Sequence, residues 1–181
     1  MTMFRADLFK GKRFLVTGGG TGLGKEMADE YAKLGADVYI CGRRGPVVQE
    51  TAAELSKAHN TRVTGLECDI RVPDAVEDMM TRIFNEGPLD GLVNNAAGNF
   101  ISRTKDLSPN AFNAIANIVF HGTFYVTLAA GKRWIEQKKK ANVISILTTW
   151  VWNGGPFTVP SAMSKAGLNV MTKSLAVEWA A

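Results

Sequence analysis

Cysteine is scarce in this chain of 181 residues, which has two. Cys41 in "DVYICG" and Cys68 in "RVTGLECDI" each sit in an apolar run that reads as a strand, where a free thiol behaves as a small buried hydrophobe. A disulfide scaffold is thereby excluded, and a reduced, intracellular setting, cytoplasmic or organelle matrix, is expected. No apolar run approaches the ~20 residues of a membrane span. The opening "MTMFRADLFKGKR" also lacks the apolar centre of a secretion signal, so no membrane partner is expected. Charge of one sign is not concentrated either: 21 Lys and Arg against 17 Asp and Glu leave a net +4, spread along the chain. That balance suits acidic small ligands such as phosphates and argues against a nucleic-acid partner. Linkers, repeats and low-complexity segments are missing, and no metal is expected. The one basic run, Lys138 to Lys140, follows a helical pattern and reads as its solvated end.

What is present is alternation. "RFLVTG", "DVYICG", "RVTGLECDI", "DGLVNNAAG" and "NVISILTT" read as strands, and the first three are each followed by a helical pattern. In the first of these helices Leu23, Met27, Tyr31 and Leu34 share a face by 3.6-residue periodicity. A long helix is expected over 108–136, and a last one beginning near Ser161. Parallel strands joined by crossover helices give a doubly wound, three-layer α/β fold of the Rossmann type. The length suits one dinucleotide-binding domain, 1–181. The chain stops at "LAVEWAA" without a helix stop signal, which predicts that this domain is incomplete at its C-terminus.

"LVTGGGTGLGKEM" follows the first strand and opens the first helix. Glycines permit a tight turn and a close backbone approach, and a helix N-terminus offers free N–H groups and a positive dipole end to a pyrophosphate. Gly18, Gly20, Thr21, Gly22 and Leu23 are the candidate cofactor-binding residues of this loop. At the end of the second strand, where NAD-binding proteins usually carry an acid, stand Arg43 and Arg44. A guanidinium pairs bidentately with a 2′-phosphate that an acid would repel, so NADP(H) is the expected cofactor.

The spacing T-G-x-x-x-G-x-G, with "NNAAG" at Asn94 to Gly98, resembles the short-chain dehydrogenase/reductase family over essentially the whole chain. The resemblance implies that Asn95 is a cofactor-side residue, that Asp69 meets the adenine, and that the missing C-terminal part includes strands. It also implies a catalytic serine, tyrosine and lysine. Lys165 matches the lysine that holds the nicotinamide ribose, and Thr148 matches the serine, but Ser161 stands where the tyrosine belongs. The tyrosines of the chain are Tyr31, Tyr39 and Tyr125.

"TGGGTGLGK", "CDIRVPD", "NNAAGNFIS", "LSPNAF" and "VPSAMSKAG", in that order, look like the branch of NADPH-dependent 2,4-dienoyl-CoA reductases, in which serine at this position is expected. That resemblance implies reduction of a conjugated acyl-CoA in unsaturated fatty acid degradation. Asn99 then holds the thioester oxygen, Phe100 flanks the acyl chain, and Arg71 and Ser108 touch the CoA ester. The branch's relocated tyrosine corresponds to Trp150, whose indole N–H donates a hydrogen bond but does not ionise near neutral pH. Asn99, Thr148, Lys165 and Ser161 are therefore the catalytic candidates, with the proton coming from water. His121 is the remaining acid candidate, with helix packing as its other reading. Trp150 and Trp152 are expected to shape an acyl tunnel or simply to pack.

A homodimer or homotetramer is implied through the two long helices, with Leu168, Met171 and Leu175 either at that interface or facing the sheet. Two alternatives stand beside the leading reading. One is a carbonyl or 2-enoyl-CoA reductase of the same family, and the other a catalytically weakened NADP-binding subunit.

Overall fold

Strand residues alternate in direction, so Leu15 and Val16, adjacent in an apolar run, supply the cores on opposite sides of one sheet. The computed structural model describes residues 4–180. Its strands are β1 Arg13–Thr17, β2 Asp37–Gly42, β3 Val63–Glu67, β4 Gly91–Asn94 and β5 Asn142–Ser145. They lie in the order β3-β2-β1-β4-β5, every pair parallel, with Val16 opposite both Ile40 and Val93. Helices α1 (Gly22–Lys33) and α2 (Gly45–His59) pack on one face, around Val16, Ile40, Ala28 and Val48. On the other face α3 (Pro73–Asn85) and α5 (Thr123–Glu136) enclose Leu15, Met80, Ile83 and Trp134. This is the expected doubly wound, three-layer fold. Its strand order reverses direction between β1 and β4, and the carboxyl ends of those two strands open a crevice.

Four local expectations are corrected. Leu23 does not join the core face of α1 but is 70% exposed, and the buried residues of that helix are Gly24, Ala28 and Ala32. Small side chains let α1 lie closer to the sheet than a leucine stripe would. The helix expected over 108–136 is three pieces: α4 (Pro109–Ala116), a π-helical turn at Asn117–Gly122, and α5. A π turn widens the helix and is often found at functional sites. Taken together, Pro109–Glu136 is 28 residues long and apolar enough to cross a membrane, contrary to the sequence expectation, but over half of its most apolar stretch is buried inside the fold. Finally, β3 ends at Glu67 and β5 at Ser145, so Asp69 and Thr148 lie in the loops beyond them.

A short helix α6 (Trp150–Asn153) and the long α7 (Val159–Glu178) complete the chain as described. Leu168 is buried against Ile115 and Val119, with Met171 beside them, so that part of the α7 stripe faces inward.

Candidate active site

The glycine loop is held from behind by side chains that spend their hydrogen bonds on its backbone. Thr17 Oγ1, at the end of β1, accepts from the amides of Asn95 and Ala96, each at 3.0 Å. The Asn95 amide nitrogen donates back to the carbonyls of Thr17 (3.0 Å) and Gly18 (3.5 Å). From the other side Thr51 Oγ1 donates to Gly20 O at 2.9 Å. Asn95 was expected on the cofactor side; it lines the groove beside the loop, and its amide nitrogen braces the loop. Thr17 and Thr51 were not singled out in the sequence, because a threonine that clamps a backbone has no pattern of its own.

The loop itself is shaped for a ligand. A Cβ on Gly24 would come within 2.3 Å of the Gly18 carbonyl oxygen, so only glycine lets the start of α1 close on the loop. Gly22 has φ +54° with open space where its side chain would be. Thr21 caps α1 without a side-chain hydrogen bond, and no acid lies in the first turn. The first N–H groups of the helix thus remain for an anion.

Beside this loop opens a groove of about 560 Å³, reached by Gly18, Gly20, Thr21, Arg43, Arg44, Asp69 and Asn95, seven residues singled out from the sequence. Ile118, from the π turn, forms part of its wall. Neither Arg43 nor Arg44 is engaged in an ion pair among the described residues. The two cysteines also line the groove, but burial pushes the Cys41 thiol far up and that of Cys68 up to about 11. They are protonated wall atoms and not nucleophiles.

Asp69 is held by Arg71, whose Nε lies 2.9 Å from Oδ1 and whose terminal nitrogen lies 2.6 Å from Oδ2. That pairing keeps the Asp69 carboxyl below its usual range. Arg71, expected to touch a CoA ester, is paired with Asp69, which lines the groove.

The remaining candidates gather at the carboxyl ends of β4 and β5. Lys165 on α7 donates from Nζ to the carbonyls of Ile146 (2.9 Å) and Leu147 (3.3 Å), just past β5. Half-burial strips water from its ammonium and lowers its pKa from 10.5. Ser161, one turn earlier on α7, is only 4% exposed, yet its hydroxyl has no partner among the described residues. The side chains of Asn99 and Thr148 are likewise without hydrogen-bond partners. The Ser102 amide donates to Phe157 O at 3.1 Å, which ties the loop carrying Asn99 and Phe100 to the turn before α7. Ser108 caps α4, accepting from the Ala111 amide at 3.1 Å.

Trp150 lies half-buried with its ring against Gly155, where an added Cβ would come within 2.5 Å of it. Trp152 is 72% exposed. His121 is exposed, with Nδ1 3.1 Å from Asn117 Oδ1. Val119, two residues earlier and on the opposite side of the turn, is the one that faces Leu147 and Leu168. His121 is thus on the exposed side of the π turn, and Val119 on its packed side. Asn94, buried at the end of β4, donates to Thr127 Oγ1 at 2.9 Å, while its Oδ1 has no partner.

Comparison with known proteins gives a consistent picture. The short chain dehydrogenase family model matches residues 12–181. A Caenorhabditis elegans protein named probable 2,4-dienoyl-CoA reductase 3 is 48% identical over 98% of this chain and 58% of its own length. A Bacillus subtilis protein named probable 2,4-dienoyl-CoA reductase is 39% identical over 93% of this chain and 66% of its own. The chain thus spans about three-fifths of the length of such relatives. Among solved structures, a citronellol catabolism dehydrogenase of Pseudomonas aeruginosa superposes with a TM-score of 0.92 at 32% identity, covering 99% of this chain and 73% of that one. A short chain dehydrogenase from Bacillus anthracis does so at 0.89 and 43% identity, covering 93% of this chain and 70% of that one.

Proposed function

Because this chain belongs to the short chain dehydrogenase family, we propose that it serves as an NADPH-dependent reductase of 2,4-dienoyl-CoA thioesters. The observation that carries the cofactor part is the groove that joins a glycine loop to two unpaired arginines. The substrate part rests on the names of the relatives together with Asn99, Thr148 and Ser161, three unpartnered polar side chains in the segments that follow β4 and β5.

The dinucleotide, when bound, supplies a hydride. The chain's own residues do the rest. The α1 N-terminus and the glycine loop hold the pyrophosphate, and Arg43 and Arg44 hold the 2′-phosphate. Lys165 positions the ribose and sets a positive charge beside the developing enolate. The Asn99 amide and the Thr148 hydroxyl donate to the thioester oxygen, stabilising charge as it forms. Ser161 orients the ester or cofactor, because an unassisted hydroxyl is too weak an acid to replace a phenol. With His121 exposed to solvent and Trp150 non-ionising, the proton comes from water. Phe100, Ser108 and Trp150 flank the acyl-CoA. A homodimer or homotetramer belongs to the same proposal, through exposed apolar residues such as Phe124 on α5 and Val170 on α7. An intracellular setting does too.

The test is NADPH oxidation by the purified chain with a 2,4-dienoyl-CoA, a 2-enoyl-CoA and a simple ketone, beside a cofactor-binding titration. Turnover with the dienoyl thioester alone is expected. Turnover with the ketone or the 2-enoyl-CoA alone transfers the assignment to those substrates. Tight NADPH binding without any turnover makes the chain a binding subunit.

A further inference from the structure

We propose that Arg71 is a positioning residue for cofactor choice: by holding the Asp69 carboxylate, it leaves Arg43 free for a ribose 2′-phosphate. The inference rests on the NADPH-binding reading above and assigns a device within that site.

The strand register brings the groups together. Gly42 lies opposite Glu67, and the Cys68 amide donates to Gly42 O at 3.0 Å. Arg43 and Asp69 therefore leave the sheet side by side, and both reach the same groove. A carboxylate at that place has two cations to choose from. Arg71 takes it through Nε, which reaches both carboxylate oxygens, and its terminal nitrogen, and the Arg71 backbone amide adds a fourth bond to Oδ1 at 3.1 Å. The turn that makes this possible is closed by the Val72 amide on Asp69 O at 3.0 Å. Arg43 makes no ion pair or hydrogen bond among the described residues, and its effect on the Asp69 carboxyl ranks behind that of Arg71.

Removing Arg71 has two consequences of one sign. The bare Asp69 carboxylate attracts Arg43, and it repels a phosphate dianion bound across the groove. NADH, which has no 2′-phosphate, feels neither. The effect thus lies in the ratio of the two affinities, whereas any loss of an adenine contact affects both equally and cancels.

Binding titrations of NADPH and NADH on the unmodified chain, Arg71→Gln, Arg71→Lys, Asp69→Asn and the double variant test this. In Arg71→Gln the NADPH/NADH preference should fall roughly three- to tenfold. Arg71→Lys, which restores one point charge without the fork, should recover part of it. In the Asp69→Asn background the Arg71 substitution should leave the preference unchanged, because the charge it neutralises is gone. Arg82→Gln, which removes an equal charge from an exposed position of α3, should also leave it unchanged. A preference unaltered in Arg71→Gln, or altered equally in the Asp69→Asn background, overturns the inference. Equal affinity of the unmodified chain for the two dinucleotides overturns the NADPH reading itself.

Discussion

Lys165 Nζ donates to the carbonyl oxygen of Ile146 at 2.9 Å, which anchors a half-buried ammonium at the end of β5. The carbonyl fixes the direction of the side chain, and burial makes the charge costly. Lys165→Met should therefore lower turnover by about 10²-fold while the fold persists, as circular dichroism and steady-state kinetics would show. Wild-type rates would remove Lys165 from the mechanism.

The same burial sets a pH dependence. The folded pKa of Lys165 lies below 10.5, so the charged form is lost earlier than in a free lysine and the rate should fall on an alkaline limb below that value. Lys165→Arg keeps the charge and should move the limb upward. For stability the sign is opposite to that of a paired lysine. Between the folded pKa and 10.5 the unfolded chain binds more protons, so this group adds stability as pH rises through that window.

Asn95 acts on the groove through the backbone it holds. In Asn95→Ala the carbonyls of Thr17 and Gly18 lose a donor while the backbone bonds to Thr17 Oγ1 remain, at a cost of roughly 1–3 kcal/mol. The melting temperature should drop by roughly 2–4 °C for each kcal/mol lost. Dinucleotide affinity should weaken in parallel, and unchanged affinity in a destabilised variant would separate the clamp from the site.

Gly24→Ala forces a methyl group to within 2.3 Å of Gly18 O, so the loop must open or α1 must shift. Overpacking of this kind costs roughly 1–3 kcal/mol. Calorimetry should register that loss, and a dinucleotide titration should show affinity reduced more than tenfold. Retention of both would mean that the loop is more compliant than its packing indicates.

Ser161 and Asn99 should respond differently to alanine. If the proton comes from water and Asn99 supplies an oxyanion donor, Asn99→Ala should lower the rate by roughly 10²–10³-fold and Ser161→Ala only modestly. Loss of activity in Ser161→Ala, with Asn99→Ala unaffected, would reverse the two roles.

At the opposite end of the sheet the buried Tyr39 hydroxyl donates to Glu86 at 2.6 Å and accepts from Arg13, and Arg62 also pairs with Glu86. The Tyr39 hydrogen bond, then that of Arg62, holds the Glu86 carboxyl below its ordinary value of 4.5. A depressed acid stabilises the fold above its unfolded pKa and loses that contribution as pH falls through the folded one. Glu86→Gln should thus lower the melting temperature at pH 7, with the difference shrinking below about pH 4. A constant difference across that range would assign the loss to packing.

The sequence by itself determined the layers, the strand order's starting point and the ligand loop. Apolar runs of strand length alternating with helical periods permit little else, and glycine spacing reports a backbone that no side chain can mimic. It also placed Arg43 and Arg44 at a strand end, which is a matter of counting. The tertiary structure decided what each polar side chain is spent on. Arg71 is separated from Asp69 by two positions and from a CoA site by none that sequence can measure, and the turn closed by Val72 gives it to Asp69. Leu23 fits a helical stripe on paper, but the stripe that packs is made of Gly24, Ala28 and Ala32, because close approach to the sheet rewards small residues. The π turn at Asn117–Gly122 has no local signature, and it turns Val119 inward and His121 out. Hydrogen bonds and helix phase depend on partners far apart in the chain, and only folding brings those partners within reach.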